Sequence, residues 1–326
     1  MSKYKIVLDV MGSDSGPETM LRGAALALKK HPDLTLVLVG DEAVIQAACK
    51  TEYLDESRVE ILPAPDVISN EDASASAVFQ KRDSSLVKAL TYTMSDDSVV
   101  GLVNAGNTGA LIAGAARYLL SETRERPVLA ASLPKESGGY LCLCDTGATI
   151  DCTPAMLLHF AKLGTEFMRK MYKIEFPRVA LLSNGAEDTK GNKLVKEAFP
   201  LLRDCEDINF IGNVEGSNAL SGVCDVVVCD GFAGNQVLKV TEGTARRLIT
   251  DIAGIAQKTG KAEYVSLVKE LKAKYDFNSL GGAIILGSAK PVIKAHGRAN
   301  EQTVLNSISM LVNFATDKTV YESIID

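Results

Sequence analysis

The chain has 326 residues, 46% of them apolar and 23% charged, with no tryptophan and a formal net charge of −6. That length supports a large core and that composition is globular. The acidic balance and sparse aromatics exclude a nucleic-acid surface, which needs clustered cations and stacking rings.

The first nine residues contain no long apolar stretch, so no signal peptide is expected and the protein is placed in the cytoplasm. A short strand at 5–9 runs into the polar loop Asp9-Val10-Met11-Gly12-Ser13-Asp14. After Gly16-Pro17, residues Met20, Leu21, Ala24, Ala25 and Leu28 fall at helical spacing. Further strands are expected at 35–39, 58–62 and 98–103. Residues 98–116 are uncharged, but Asn104, Asn107 and Thr108 interrupt them, so a strand, a polar loop and a helix are expected there, not a membrane span. The remaining strands are read at 128–132, 140–144, 178–183, 208–211 and 225–229. Several are continuous apolar runs, as strands covered on both faces should be.

Residues 243–275 have almost no strand character. Leu248, Ile249, Ile252, Ile255 and Ala256 make one apolar stripe, Gly260 breaks it, and Tyr264, Val265, Val268 and Leu271 make a second, which predicts a helical hairpin. Between Arg246 and Lys274 seven basic residues face three acids (Asp251, Glu263 and Glu270), a local balance of 7 − 3 = +4. The hairpin is either a solvated helix pair or dimer contact, or a landing site for an acidic carrier or anionic membrane through Arg246, Arg247, Ile252, Lys258 and Lys261. A last helix carries Val304, Leu305, Ile308, Leu311 and Val312. The alternation predicts a single α/β domain over 1–326, an α/β/α sandwich around a mainly parallel sheet, with the hairpin inserted at 243–275.

The seven cysteines (49, 142, 144, 152, 205, 224 and 229) include no Cys-x-x-Cys pair, and there are only three histidines. They read as buried thiols of a reducing compartment, with no disulfide and no metal site. No Gly-x-Gly, Gly-x-Ser-x-Gly or His-Glu-x-x-His occurs, and Asn107 stands where a nucleotide-binding loop needs lysine. What remains is a set of polar, glycine-bearing loops after strands. Asn104-Ala105-Gly106-Asn107-Thr108-Gly109 opens a helix, where backbone N–H groups attract an anion, although an ordinary strand-to-helix turn has the same pattern. Similar loops start at Asp9, Asp145, Ser183 and Asp230, and loops of this kind at the carboxyl ends of parallel strands form ligand sites. Lys190 and Lys239 are candidate phosphate cations, and His296, before Gly297, is a candidate acid, base or anion donor, against the ordinary alternatives of surface lysines and a structural histidine.

These pieces resemble the phosphate acyltransferase family of bacterial phospholipid synthesis. The resemblance rests on Asp9-Val-Met-Gly-Ser-Asp14, Ala105-Gly-Asn-Thr-Gly-Ala-Leu111, Asp145-Thr-Gly-Ala-Thr-Ile-Asp151, Lys190-Gly-Asn192, Phe210-Ile-Gly-Asn-Val-Glu-Gly216, the run from Asp225 to Asn235, Gly281-Gly282 and His296-Gly297. Four places depart from the family pattern: Val10 and Ser13 in the first loop, Asn104 where a serine is usual, Ala186 in a Gly-Glu-Glu run, and Arg298 where a serine follows His-Gly.

The resemblance implies a fold like isopropylmalate dehydrogenase and phosphotransacetylase. It also implies transfer of a long-chain acyl group from acyl carrier protein to inorganic phosphate, with no cofactor. Lys190 would bind phosphate or the developing oxyanion, Asn235 would position it, and His296 would protonate the leaving thiolate or orient phosphate. Asn107, Thr108 and Gly109, with Asn192 and Lys239, would cradle phosphate, and Asp9, Asp14, Asp145 and Asp230 would support the loops. A homodimer, peripheral contact with the inner face of the membrane and a downstream glycerol-phosphate acyltransferase partner follow from the same resemblance. The competing readings are a small-acyl phosphotransacetylase using coenzyme A thioesters and a non-catalytic membrane-surface scaffold.

Overall fold

A computed structural model describes residues 3–51, 54–121, 125–275 and 281–316. Among them the strands and α-helices run β1 (Tyr4–Asp9), α1 (Gly16–Lys30), β2 (Leu34–Gly40), α2 (Glu42–Thr51), β3 (Val59–Pro63), α3 (Ser74–Gln80), α4 (Ser85–Ser95), β4 (Val99–Asn104) and α5 (Thr108–Tyr118). They continue with β5 (Val128–Pro134), β6 (Tyr140–Cys144), α6 (Pro154–Tyr172), β7 (Arg178–Ser183), α7 (Lys193–Arg203), β8 (Asn209–Glu215) and β9 (Val226–Val228). Last come α8 (Gly231–Thr259), α9 (Ala262–Lys274), β10 (Ala283–Leu286), β11 (Val292–Lys294) and α10 (Glu301–Thr316). Contacts divide the chain into two compact units, residues 1–129 with 280–326, and residues 130–279.

In the first unit the strand order is β3-β2-β1-β4-β11-β10, parallel except for β10 against β11. The run Leu34–Gly40 is buried along its whole length, which is why its sequence shows no polar alternation. Helix α1 packs on α10, and α4 on α5.

In the second unit the order is β5-β6-β9-β7-β8, with β5 and β6 antiparallel and the other neighbours parallel. Its core gathers Leu133, Leu141, Leu143, Ala180 and Val227, with Ala233, Val237 and Leu238 of α8 packed against it. Both units are mixed α/β with mainly parallel strands. Helix starts follow side-chain chemistry: Ser84, Asn107, Thr153, Asn192 and Asp230 each accept a backbone N–H from the first turn of α4, α5, α6, α7 and α8.

Three features differ from the sequence reading. Strands β10 and β11 are four and three residues long, too short for a periodic signal. The first hairpin helix begins at Gly231, not at 243, and runs unbroken to Thr259 before the left-handed Gly260 stops it. The glycines of Asp230-Gly231-Phe232-Ala233-Gly234-Asn235 mimic a loop, but the segment is the first turn of α8. A Cβ on Gly234 would lie 1.8 Å from the Asp145 carbonyl oxygen, so glycine lets this helix touch a neighbouring loop. All seven cysteines are free thiols; five are buried, while Cys152 and Cys205 are half-buried. No described helix is long and apolar enough to cross a membrane.

Candidate active site

The polar loops fall into two sets, one within each unit. In the first unit Asp9, at the end of β1, is 1% exposed. Its Oδ1 accepts the Met11 N–H at 3.0 Å and its Oδ2 accepts Asn104 Nδ2 at 2.8 Å. Asn104 in turn accepts the Gly106 N–H at 2.9 Å. Burial pushes the Asp9 carboxyl up to about 6, against hydrogen bonds with Ser85, Met11 and Asn104 that favour its charged form. Asn104 therefore ties the β1 and β4 loops together, a role its spacing alone does not reveal.

Asn107 caps α5 through a 2.9 Å bond from the Ala110 N–H, and its Nδ2 donates to the Ser69 carbonyl at 2.9 Å. The expectation that its side chain cradles an anion thus meets an amide already engaged by the fold. What remains there for an anion is the start of α5, with Thr108 half-buried and Gly109 exposed. Asp14 holds Asn70 Nδ2 at 3.0 Å, and its N–H donates to the Gly297 carbonyl at 2.9 Å. His296 is exposed and its Nδ1 accepts the Arg298 N–H at 3.1 Å, which leaves Nε2 to carry the proton of the neutral ring.

The second unit brings two loops and the start of α8 together. Asp145 is fully buried after β6. It accepts the N–H groups of Gly147, Ala148 and Thr149 at 3.0, 2.9 and 2.6 Å, so it shapes its own loop. The Gly231 N–H donates to the Thr149 carbonyl at 2.8 Å, docking the start of α8 on that loop. Asn235, one turn into α8, is half-buried. A Cβ on Gly147 would come 3.9 Å from Asn235 Cβ, which places Asn235 against the Asp145 loop. After β7, Asn184 Oδ1 accepts the Gly191 N–H at 2.9 Å and closes the loop that carries the exposed Lys190.

Between the loop after β7 and the starts of α7 and α8 lies a hollow of about 560 Å³, within the range of small-molecule sites. Ser183, Asn184, Asn192 and Asp230 are its polar lining; Leu182, Leu194, Val195, Cys229, Ala233 and Val237 are its apolar lining. Asn192 caps α7 and Asp230 caps α8, so two helices begin at one cavity, α7 behind a neutral amide and α8 behind an acidic side chain. Lys190 immediately precedes Gly191 of the lining, and Asn235 lies between Ala233 and Val237 of it. Cys229 is no nucleophile in waiting, since burial pushes its thiol well up.

A model of the family described as fatty acid synthesis protein matches residues 4–321. Among curated relatives, the phosphate acyltransferase of Thermoanaerobacter pseudethanolicus is 40% identical over 319 residues, covering 95% of this chain and 93% of that one. The phosphate acyltransferase of Caldicellulosiruptor saccharolyticus is 39% identical over 328 residues, covering 98% and 95%. The chain belongs to the bacterial phosphate acyltransferase family.

Among solved structures, a phosphotransacetylase from Streptococcus pyogenes aligns with TM-score 0.63 at 16% identity, over 96% of this chain and 94% of that one. A phosphotransacetylase from Staphylococcus aureus gives 0.60 at 17%, over 96% and 94%. The fold of this phosphate acyltransferase family member is therefore that of the phosphotransacetylases.

Other residues singled out in the sequence sit apart from the hollow. Lys239 is exposed on α8 and its ammonium lies 2.8 Å from the Glu242 carboxylate, so its charge is already paired. Arg246, Arg247, Lys258 and Lys261 are exposed along the hairpin, where Arg247 pairs with Asp251 at 2.9 Å, and Ile252 is half-buried. Leu248 and Ile255 remain 57% and 46% exposed beside them. Sequence reasoning gave no role to Ser69, Asn70, Ser183, Asn184 or Asn213.

Proposed function

We propose that the protein moves a long-chain fatty acyl group from the thioester of acyl carrier protein to inorganic phosphate, giving an acyl phosphate for phospholipid synthesis. The observation that carries this reading is the convergence of two helix N-termini on one hollow beside Lys190. Family membership supports the reaction class. Phosphate is itself the nucleophile: one of its oxygens bonds to the thioester carbonyl carbon, the C–S bond breaks, and the thiolate leaves. The protein must hold a dianion against that carbon and stabilise the oxyanion of the tetrahedral intermediate. Lys190 supplies the cation, and Asn235 a neutral donor that positions the phosphate. Asn192, which caps α7 at the same hollow, is proposed to add to the anion cradle. The apolar lining suits the acyl group, each buried CH2 of which contributes about 0.8 kcal/mol. The basic hairpin is proposed to receive the acidic carrier, with a second copy of the chain, the inner membrane face and a downstream acyltransferase as neighbours.

The test is to incubate the pure protein with acyl carrier thioester and phosphate. Free carrier thiol and acyl phosphate should appear together, and only when phosphate is present. Thiol release without phosphate, or faster turnover of acetyl-coenzyme A than of the long-chain carrier thioester, would reject this reading.

A further inference from the structure

The motif around Asn213 has no role in the mechanism above, yet it is built with care. Strand β8 pairs with β7 as Val179↔Phe210 and then Leu181↔Asn213, so two residues of β8 oppose Ala180 alone. That is a bulge, and Gly212 within it takes φ 100°, a left-handed backbone that favours glycine. A bulge re-aims the side chain that follows it. Here the next side chain is Asn213, and its Nδ2 donates to the Glu187 carbonyl at 2.9 Å. Asn213 Oδ1 is enclosed and takes no hydrogen bond from the protein, an arrangement that is unfavourable by itself. A small apolar residue at 213 would avoid that cost, so the bond to Glu187 is what the amide contributes.

Glu187 belongs to the loop of Lys190, which residues 186–190 leave exposed to solvent. The Glu187 carbonyl also accepts the Lys190 N–H at 3.0 Å, so Asn213 reaches Lys190 through a single shared oxygen. Asn184 closes the other side of the loop through the Gly191 N–H at 2.9 Å. Gly185 makes room for the lysine stem: a Cβ there would lie 2.7 Å from Lys190 Cγ.

We propose that Asn213 and Asn184 are positioning residues that clamp the 184–191 loop, so that the Lys190 ammonium is held in place for the anion before substrate arrives. The inference rests on the phosphate-binding role given to Lys190 above. An exposed loop without these bonds would sample many lysine positions, and a misplacement of about 1 Å costs up to ~100-fold in rate.

The experiment measures kcat and KM for inorganic phosphate in Asn213→Ala, Asn213→Asp and Asn184→Ala, each in the wild-type and Lys190→Ala backgrounds. Asn213→Asp keeps the volume but sets an acceptor against the Glu187 carbonyl, so it should lose at least as much as Asn213→Ala. The expected result is a ~10–100-fold loss in kcat/KM for phosphate that disappears once Lys190 is absent, because the clamp acts only through that side chain. An undiminished loss in the Lys190→Ala background, or no loss in the wild-type background, would overturn the proposal. If the Asn213 variants fail to fold, Asn184→Ala, in an exposed loop, decides by the same cycle. Amide hydrogen exchange of residues 186–191 separates the two levels of the argument. A wild type that neither binds phosphate nor transfers an acyl group removes the function reading, whereas exchange left unchanged in Asn184→Ala removes the clamp.

Discussion

The Lys135 ammonium donates to Asp225 across 2.7 Å, with the two side chains only 8% and 6% exposed. The Arg178 Nε and its backbone N–H both reach the other carboxylate oxygen at 2.9 Å. One carboxylate thus joins the residue after β5, the first residue of β7 and the approach to β9. Burial alone would raise the Asp225 carboxyl, but Arg178 and Lys135 outweigh it and hold it at about 2.

Lys135→Met leaves that carboxylate buried with one partner fewer, and should destabilise the fold by about 3 kcal/mol. Because the folded pKa lies below the unfolded value of about 3.9, the contribution of Asp225 is fully present above that pH and is lost as pH falls toward 2. Urea unfolding across this range should show the gap between wild type and variant narrowing with acid. A gap independent of pH would show that the ion pair is not its source.

Asp9 is shifted in the opposite sense to Asp225. Its carboxyl should titrate at about 6, visible as a shift of its carboxyl carbon resonance. A folded pKa above the unfolded value means that ionising Asp9 weakens the fold, so this group's contribution falls as pH rises from about 4 to 6. Asn104→Ala removes a bond to the charged form and should move the midpoint higher still. Titration near 4 in the wild type would contradict the burial argument.

Two glycines of one helix should respond in opposite senses. Gly234→Ala places a methyl 1.8 Å from the Asp145 carbonyl oxygen, and should cost about 3 kcal/mol or more as α8 is displaced from the loop. Gly243 lies inside the same helix with nothing within 4 Å of an added Cβ. Gly243→Ala should therefore stabilise by up to about 1 kcal/mol, since alanine loses less backbone freedom in a helix. Thermal midpoints of the two variants check this directly.

Lys190 and Lys239, both candidates from sequence, should separate in single-turnover assays. Lys190→Ala and Asn235→Ala are expected to slow acyl transfer by ~100-fold or more, as loss of an oxyanion donor does. Lys239→Ala should stay within about threefold, because Glu242 already neutralises that ammonium, and an exposed ion pair contributes little. Equal losses at Lys190 and Lys239 would contradict the assignment.

On the hairpin, Arg246→Glu with Arg247→Glu should weaken acyl carrier protein binding by roughly 10-fold at low ionic strength, with a smaller loss as salt rises. Affinity unchanged at low salt, measured by titration calorimetry, would remove the hairpin from carrier recognition.

Most strands were legible because their apolar runs are long and bounded by glycine, asparagine and aspartate. Residues 140–144 lie between Gly139 and Asp145, and 178–183 between Pro177 and Asn184. Strands β10 and β11 were illegible because so few residues carry no period. The start of α8 was misread because glycine signals both a turn and a close approach, and only the neighbouring Asp145 carbonyl distinguishes them. Asn107 carried the right signal for a helix start, but its Nδ2 partner, Ser69, is distant in sequence.

The sequence by itself determined the α/β alternation, the order of the polar loops and the family, because these depend on local propensity and on residue order along one chain. Only the tertiary structure decided which side chains are committed to the fold and which remain for chemistry. Lys239 and Lys190 look alike in the sequence. One faces a carboxylate a turn away on its own helix, and the other stands in a loop held by its own Asn184 and by Asn213 of β8. The Asn213 bond to the Glu187 carbonyl joins residues 26 apart in the chain, and no local pattern encodes a contact of that kind.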